Sequence, residues 1–427
     1  MLPAPAFLPL TVSWNLTRKC NLACAHCYID ASKTDPRTGE LTPRESLDLL
    51  GALARVNSQA VLILTGGEPL LRKDIYDLIA EASSLGFWAV LGSHGGMLTE
   101  KTVERLAQAN LKGVGVSLDS TDPARHDRFR GIEGAWRNTV SALEALSAAG
   151  LPFLIETTLT AVNRGELAAM ADFAAAKGAA ALNVFFLVPT GRGAALTDLS
   201  AQDYELALQE LAALQKAHAG RLLINAKCAP HYRRVLWEGD RDGVFVRTFQ
   251  GGGCPAGTYY CRVTPDGDVT PCPYMPLSVG NVRQTSFETL WRDSPVLREF
   301  REAKRGGRCG ECEFSELCGG CRCRAYAVTG DYLAEDPSCV YQPGRYGKAT
   351  IPLSAERTYG SSPRQELQWT AEASERMKAI PSFARGMVTG AIESAARKRG
   401  LTLVTAELLD ELRKNMAGRF PLTKNRG

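Results

Sequence analysis

The chain has 427 residues, enough for about two to four domains, and its 45% hydrophobic and 22% charged content is that of a globular protein, which excludes disorder as its default. A formal charge of +4 from 50 basic and 46 acidic residues argues neither for nor against nucleic acid, and no long Lys or Arg block is present, so nucleic acid is not an expected partner. Thirteen cysteines, an odd number with C-x2-C spacings, suit metal ligation in the cytoplasm better than a disulfide framework; Met1 to Pro5 lacks the basic and apolar regions of a signal peptide, and no stretch approaches the ~20 apolar residues of a membrane span.

In the first 190 residues, apolar runs of strand length alternate with longer amphipathic stretches, the pattern of a parallel sheet covered by helices. The expected strands are Thr11 to Leu16, Val61 to Leu64, Trp88 to Leu91, Gly113 to Leu118, Phe153 to Leu159 and Leu182 to Leu187. Just after the first comes Cys20-x3-Cys24-x2-Cys27-Tyr28. Three thiolates in so short a loop can take three corners of a 4Fe-4S cube and leave the fourth iron without a protein ligand. The alternative is a zinc knuckle, but zinc motifs usually pair two C-x2-C arms to supply four ligands, and no fourth is near. With its aromatic Tyr28, the run resembles the hallmark of the radical SAM enzymes. That resemblance and the six βα units imply an α/β fold, a partial (β/α)6 TIM-like barrel with the cluster loop at the C-terminal edge of the strands.

After the second strand, Thr65-Gly66-Gly67-Glu68-Pro69 offers two glycines that let the backbone approach a ligand and a carboxylate acceptor; alone it is a plain strand-to-helix turn. One βα unit after the cysteines, it resembles the family's GGEP motif, which binds the amino group of S-adenosylmethionine (SAM), so the resemblance implies Gly66, Gly67 and Glu68 as SAM contacts. It also implies Ser117, at the fourth strand end, and Arg130 near the ribose and carboxylate of SAM. Ser93-His94-Gly95-Gly96 departs from the commoner Thr-Asn-Gly at the third strand, which leaves structural and substrate roles open for Ser93 and His94. Val184 and Leu187 read as barrel core or as flanks for adenine.

Pro189 to Gly193 breaks the βα rhythm, and Ala201 to Ala219 reads as the closing helix. Cys254, Cys261 and Cys272 follow, with a hairpin signal from Thr264 to Thr270 and Asp266-Gly267 at its tip; then come Cys309, Cys312, Cys318, Cys321, Cys323 and Cys339. This density suffices for two clusters, with zinc the alternative for Cys309, Cys312, Cys318 and Cys321. The segment resembles the SPASM extension of radical SAM enzymes. By that pattern Cys254, Cys261, Cys272 and Cys321 hold one auxiliary 4Fe-4S cluster and Cys309, Cys312, Cys318 and Cys339 the other. Cys321 and Cys323 depart from the usual last gap, which leaves the fourth ligand of the first cluster open between them and the number of auxiliary clusters open between one and two. Cys228, in Lys227-Cys228-Ala229-Pro230-His231, reads equally as a buried thiol or as part of a site for an anionic substrate.

The run from Cys318 through Arg324 to Pro337, with the Cys-Ala-Pro-His stretch, is similar to the radical SAM enzymes of tetrapyrrole tailoring, which remove or oxidise side chains of siroheme-derived rings on the routes to haem and to the dioxo-haem of nitrite reductase. Gln342 to Arg364 reads as a linker; helix starts at Trp369 to Ala373, Pro381 to Arg385 and Thr405 to Glu407 give a small all-α domain. That domain resembles the small C-terminal domain of light-independent protochlorophyllide reductase, another tetrapyrrole enzyme. The division expected is therefore 1–220 barrel, 221–345 SPASM domain, 346–364 linker and 365–427 helical domain.

The resemblance implies an enzyme that splits SAM with one electron, from a reduced donor such as ferredoxin or flavodoxin. The 5'-deoxyadenosyl radical then takes hydrogen from an acetate or propionate side chain of a siroheme derivative. Arg233, Arg234, Arg247, Arg262 and Arg324 are carboxylate partners by charge alone. Competing readings are a SPASM-type peptide maturase, weakened because only about ten residues precede the first strand, and a non-catalytic iron-sulfur carrier or sensor.

Overall fold

The structure is a computed structural model that describes residues 7–34, 38–196, 199–241, 243, 246, 252–352, 365–378, 380 and 382–416. Strand β1 (Thr11–Asn15) is buried on both faces, as a parallel strand between helices and an interior must be. Val12 and Trp14 pack into the main hydrophobic core, while Ser13 faces a cavity inside the barrel. Around it lie β2 (Val61–Thr65), β3 (Trp88–Ser93), β4 (Gly113–Ser117), β5 (Phe153–Leu159) and β6 (Ala181–Phe186), all parallel and in sequence order. Helices α1 (Pro43–Asn57), α2 (Ile75–Ser84), α3 (Glu100–Gln108), α4 (Pro123–Arg130), α5 (Ala135–Ala148), α6 (Leu167–Ala176) and α7 (Ala201–Ala217) connect and cover the strands. Local chemistry sets their starts: Thr42 and Glu45 form a capping box before α1, and Asp122 caps α4, whose first residue is Pro123.

The six expected strands are present, with ends shifted by one or two residues. Two more extend the sheet beyond residue 220: β7 (Leu223–Lys227) pairs in parallel with β6, and β8 (Tyr260–Val263) pairs in parallel with β1. The expected hairpin forms between β8 and β9 (Asp268–Thr270), with β10 (Gly280–Asn281) outside it, so the sheet is open, with β7 and β10 as its edges. After β7 comes α8 (His231–Gly239), which carries the Cys-Ala-Pro-His stretch at its start.

In the tail, helices Ala371–Met377, Ser382–Lys398 and Ala406–Met416 stand where the sequence puts them. A two-residue parallel pair, Gln368–Trp369 with Leu403–Val404, joins them over a core of Met377, Ile392, Ala396 and Val404, an addition to the all-α expectation. The basic residues of the long helix are engaged locally: Arg397 pairs with Glu366 and Glu393, and Arg399 with Glu411. Most of the linker, residues 353–364, lies outside the described residues, as does Arg247.

Leu62, at the centre of β2, is fully buried in the main core. Leu62→Ala should lower unfolding stability by about 2–5 kcal/mol, read as a lower denaturant midpoint at unchanged slope in anaerobic unfolding followed by circular dichroism.

Candidate active site and cysteine centres

The loop Cys20 to Tyr28 leaves β1 at the C-terminal edge of the sheet. All thirteen cysteines are free thiols. Leu22 N–H donates to Cys20 Sγ at 3.4 Å and Ala31 N–H to Cys27 Sγ at 3.4 Å, while Arg130 Nη1 lies 3.7 Å from Cys24 Sγ. Arg130 is fixed by Asp119 at 2.6 Å. Burial pushes the bare Cys20 thiol up to about 12, so the donors aimed at these sulfurs are matched to thiolates that only a bound cation would stabilise. The donor set therefore fits a cluster held by Cys20, Cys24 and Cys27.

Gly66 and Gly67 press against this loop. Gly67 N–H donates to Thr17 O at 2.7 Å and Glu68 N–H to Lys19 O at 2.9 Å. Gly66 has φ of 139°, and a Cβ there would lie 2.6 Å from Thr17 O; one on Gly67 would lie 2.2 Å from Lys19 O. Glu68 is fully buried, and its carboxylate accepts from Ser93 Oγ at 2.9 Å, His94 N–H at 3.2 Å and Leu70 N–H at 3.2 Å. His94 Nδ1 accepts from Gly96 N–H at 2.9 Å, which leaves the ring proton on Nε2, 2.8 Å from Asn21 and 3.1 Å from Glu68. Burial lowers the His94 pKa, consistent with a neutral ring. Ser93 and His94 thus hold Glu68 and tie it to the cysteine loop.

A cavity of about 200 Å³, partly open to solvent, runs from this loop into the barrel; it is lined by Cys20, Cys24, Cys27, Tyr28, Gly66 and Gly67, with Ser117 and Arg130 also on its wall. Glu68 is not on that wall. Leu187 borders the cavity, whereas Val184 belongs to the core. Tyr28 OH accepts from Asn15 Nδ2 at 2.7 Å, its ring lies 5.1 Å from that of Tyr274, and burial pushes its phenol up to about 12. Two contributors escaped the sequence reading. His26 stacks on Phe129 at 4.6 Å and lines the cavity, with no partner on Nδ1 among the described residues. Arg192 fastens the loop through Nε to Cys24 O at 2.9 Å and Nη1 to Ala31 O at 3.0 Å, next to Gly191, where a Cβ would lie 2.5 Å from Cys27 O. The glycines on both sides of Arg192 were its only signal.

The later cysteines form two groups. Cys323 is within hydrogen-bonding reach of Cys254, Cys272 and Cys321, and Cys254 of Cys321, with Cys228 beside them. Cys261 is not with them, which departs from the set implied by resemblance. Strand alternation is the reason: Tyr260 faces the cavity, so Cys261 and Val263 face the helices and are fully buried in the main core. Cys309, Cys312, Cys318 and Cys339 surround a second, small cavity of about 30 Å³. Backbone N–H groups point at three of these sulfurs: Phe314 to Cys312 at 3.4 Å, Gly320 to Cys318 at 3.5 Å and Asp336 to Cys309 at 3.5 Å. Among the described residues, no three His, Cys, Asp or Glu side chains are arranged around a single metal ion.

Asp336 joins the two groups. Fully buried, it accepts from Cys321 N–H at 2.6 Å and Arg324 Nη1 at 3.0 Å and lies 3.4 Å from His231 Nε2. Burial alone would raise its pKa; Arg324 and His231 outweigh that and hold the carboxyl at about 2. Arg324 also donates to Cys228 O at 2.7 Å. Arg324 is therefore engaged within the protein, and so is Arg234, paired with Glu205 and Glu238. Arg262 is 7% exposed and donates to Pro273 O at 2.9 Å, with Tyr28, Cys272, Tyr260 and Asp266 around it. Charge alone misled the reading of the first two as substrate partners.

Gly67→Ala should displace the cysteine loop and lower bound iron by about four atoms per chain after anaerobic reconstitution, with the remaining iron retained. Asp336→Asn leaves Arg324 buried without its counter-charge and should cost about 3–5 kcal/mol of stability, measured by anaerobic denaturant unfolding.

Residues 14–174 match the radical SAM superfamily, residues 254–321 the SPASM iron-sulfur cluster-binding domain, and residues 369–413 the proto-chlorophyllide reductase 57 kD subunit. The AdoMet-dependent heme synthase of Methanosarcina barkeri is 39% identical over 345 residues, 79% of this chain and 98% of the relative. The pre-heme d1 synthase of Dinoroseobacter shibae is 32% identical over 79% of this chain and 88% of its own. Streptococcus suis SuiB, solved with S-adenosylmethionine, shares the fold at a TM-score of 0.63 and 16% identity over 78% of each chain. The chain belongs to the radical SAM superfamily, in the SPASM-bearing group that includes the AdoMet-dependent heme synthases, and is an enzyme whose cofactors are 4Fe-4S clusters and S-adenosylmethionine.

Proposed function

We propose that this enzyme modifies acetate or propionate side chains of a siroheme-derived tetrapyrrole on a route to haem. The observation that carries the reading is 39% identity to an AdoMet-dependent heme synthase over nearly all of that relative's length. The tail supports the same substrate class through its likeness to a protochlorophyllide reductase subunit. Cys20, Cys24 and Cys27 would hold a 4Fe-4S cluster that would supply the single electron for SAM cleavage and hence for hydrogen abstraction from the substrate.

The residues serve that chemistry in distinct ways. Cys20, Cys24 and Cys27 hold the cluster; Gly66 and Gly67 bring bare backbone to the cavity wall, where the amino group of SAM binds; Ser117 and Arg130 take its ribose and carboxylate. Glu68 acts as a positioning residue, holding the third strand end against the cysteine loop. Phe185, Leu187 and Val188 on the wall exclude water from a reactive radical. Cys254, Cys272, Cys321 and Cys323 hold one auxiliary cluster, and Cys309, Cys312, Cys318 and Cys339 the other. Under this reading residues 1–220 are the barrel, 221–345 the auxiliary domain and 365–427 a helical domain, working in the cytoplasm with a reduced ferredoxin or flavodoxin.

The test is anaerobic reconstitution with iron, sulfide, SAM and didecarboxysiroheme under reducing conditions, followed by mass analysis of the tetrapyrrole. The expected result is a product lacking side-chain carboxyl groups, with 5'-deoxyadenosine formed alongside. Formation of 5'-deoxyadenosine with the tetrapyrrole unchanged would remove the substrate assignment.

A further inference from the structure

Parallel strands inside a barrel are normally apolar, yet the inner face of β4 to β7 carries a polar belt. Ser117 stands in register with Glu156, Glu156 with Asn183, and Asn183 with Asn225. Asn225 Nδ2 donates to Asn183 Oδ1 at 3.0 Å. One inward position further along β7, Lys227 stands in register with Phe185, and Phe185, Glu156 and Ser117 all line the large cavity. Gly115 makes room for the acid: a Cβ there would lie 3.0 Å from the Glu156 carboxyl. The belt thus leads from the region of the N-terminal cysteines to the open edge of the sheet.

Its two charges are poorly solvated. The titratable groups facing Lys227 are Glu156, Cys228 and Arg233; those facing Glu156 are Lys227 and Arg130, with Asn183 in hydrogen-bonding contact. Burial lowers the Lys227 pKa and raises that of Glu156, each opposed by the other charge. Among the described residues, no carboxylate closes an ion pair with Lys227 Nζ. A half-buried ammonium with no carboxylate in contact gains from an anionic guest, because part of its desolvation is already incurred. Two of the arginines that charge alone would nominate, Arg234 and Arg324, are held by internal carboxylates instead.

We propose that Lys227, with Glu156 across the belt, forms the subsite that receives a side-chain carboxylate of the substrate. The ammonium pairs with the carboxylate, and the belt of Asn183 and Asn225 sets the depth at which the side chain stops. This assignment rests on the tetrapyrrole reading above and specifies the group by which such a substrate is oriented.

The test uses the anaerobically reconstituted holoenzyme and follows the tetrapyrrole absorption band during titration with didecarboxysiroheme and, separately, with its methyl ester. Lys227→Met should weaken binding of the free acid about tenfold or more while leaving binding of the ester and of SAM at the wild-type level. Lys227→Arg should keep the preference for acid over ester, and so should Glu156→Gln, which keeps hydrogen-bonding capacity and removes the competing charge. The proposal is overturned if Lys227→Met binds the acid as wild type does, weakens acid and ester alike, or loses SAM affinity instead. Should Lys227→Met fail to take up iron, loss of the acid preference in Lys227→Arg or Glu156→Gln overturns it equally. Failure of the wild-type enzyme to bind either tetrapyrrole overturns the substrate reading together with this one.

Discussion

Between β1 and β2, two stretches of main chain run closer than side chains permit: Thr17 and Lys19 offer carbonyls to Gly67 and Glu68 at 2.7 and 2.9 Å, and no Cβ fits at Gly67. Each bond contributes only about 0.5–1.5 kcal/mol, but together they fix where the cysteine loop starts. Arg192 closes the other side by gripping the carbonyls of Cys24 and Ala31. The loop is therefore clamped through its backbone, and the thiols of Cys20, Cys24 and Cys27 are left to face the cavity. Glu68 contributes from behind that clamp, through Ser93 and His94.

A second constraint lies in the cysteine-rich segment. Two thiol groups are packed around one buried carboxylate, and Asp336 bonds to the backbone of one group through Cys321 while its own N–H serves Cys309 in the other. Its low pKa requires Arg324, which in turn grips Cys228 O. An ion pair so placed is costly to break from either side and sets the two groups at a fixed separation. Glycines serve the same end: a Cβ on Gly320 would lie 3.0 Å from Cys309 Sγ.

Much of this was readable in the sequence, and the failures have physical causes. The six inner strands show as apolar runs because helices cover one face and the packed interior the other. Strand β7 hid because its inward positions, Asn225 and Lys227, are polar and continue the belt of Glu156 and Asn183, so its sequence lacks an apolar run. Cys261 enters the ligand set by resemblance to the SPASM pattern, which does not carry the strand parity that turns Cys261 away from Tyr260. Arg324 looked available because its partner, Asp336, stands in a segment with no charge pattern of its own. The cysteine loop and Gly66-Gly67 were legible because the backbone contact between them tolerates so few residue types. Glu68 was recognised as important by resemblance, but its bonds run to the protein.

The central claim is that the clamped loop presents a cluster with one iron open to SAM. Electron–nuclear double resonance on the dithionite-reduced, reconstituted protein, with SAM carrying 15N in its amino group, tests it most directly. The account predicts a nitrogen hyperfine coupling to the N-terminal cluster that appears with SAM and is absent from Gly67→Ala. A reduced N-terminal cluster whose spectrum shows no coupling to the labelled nitrogen at saturating SAM would contradict it.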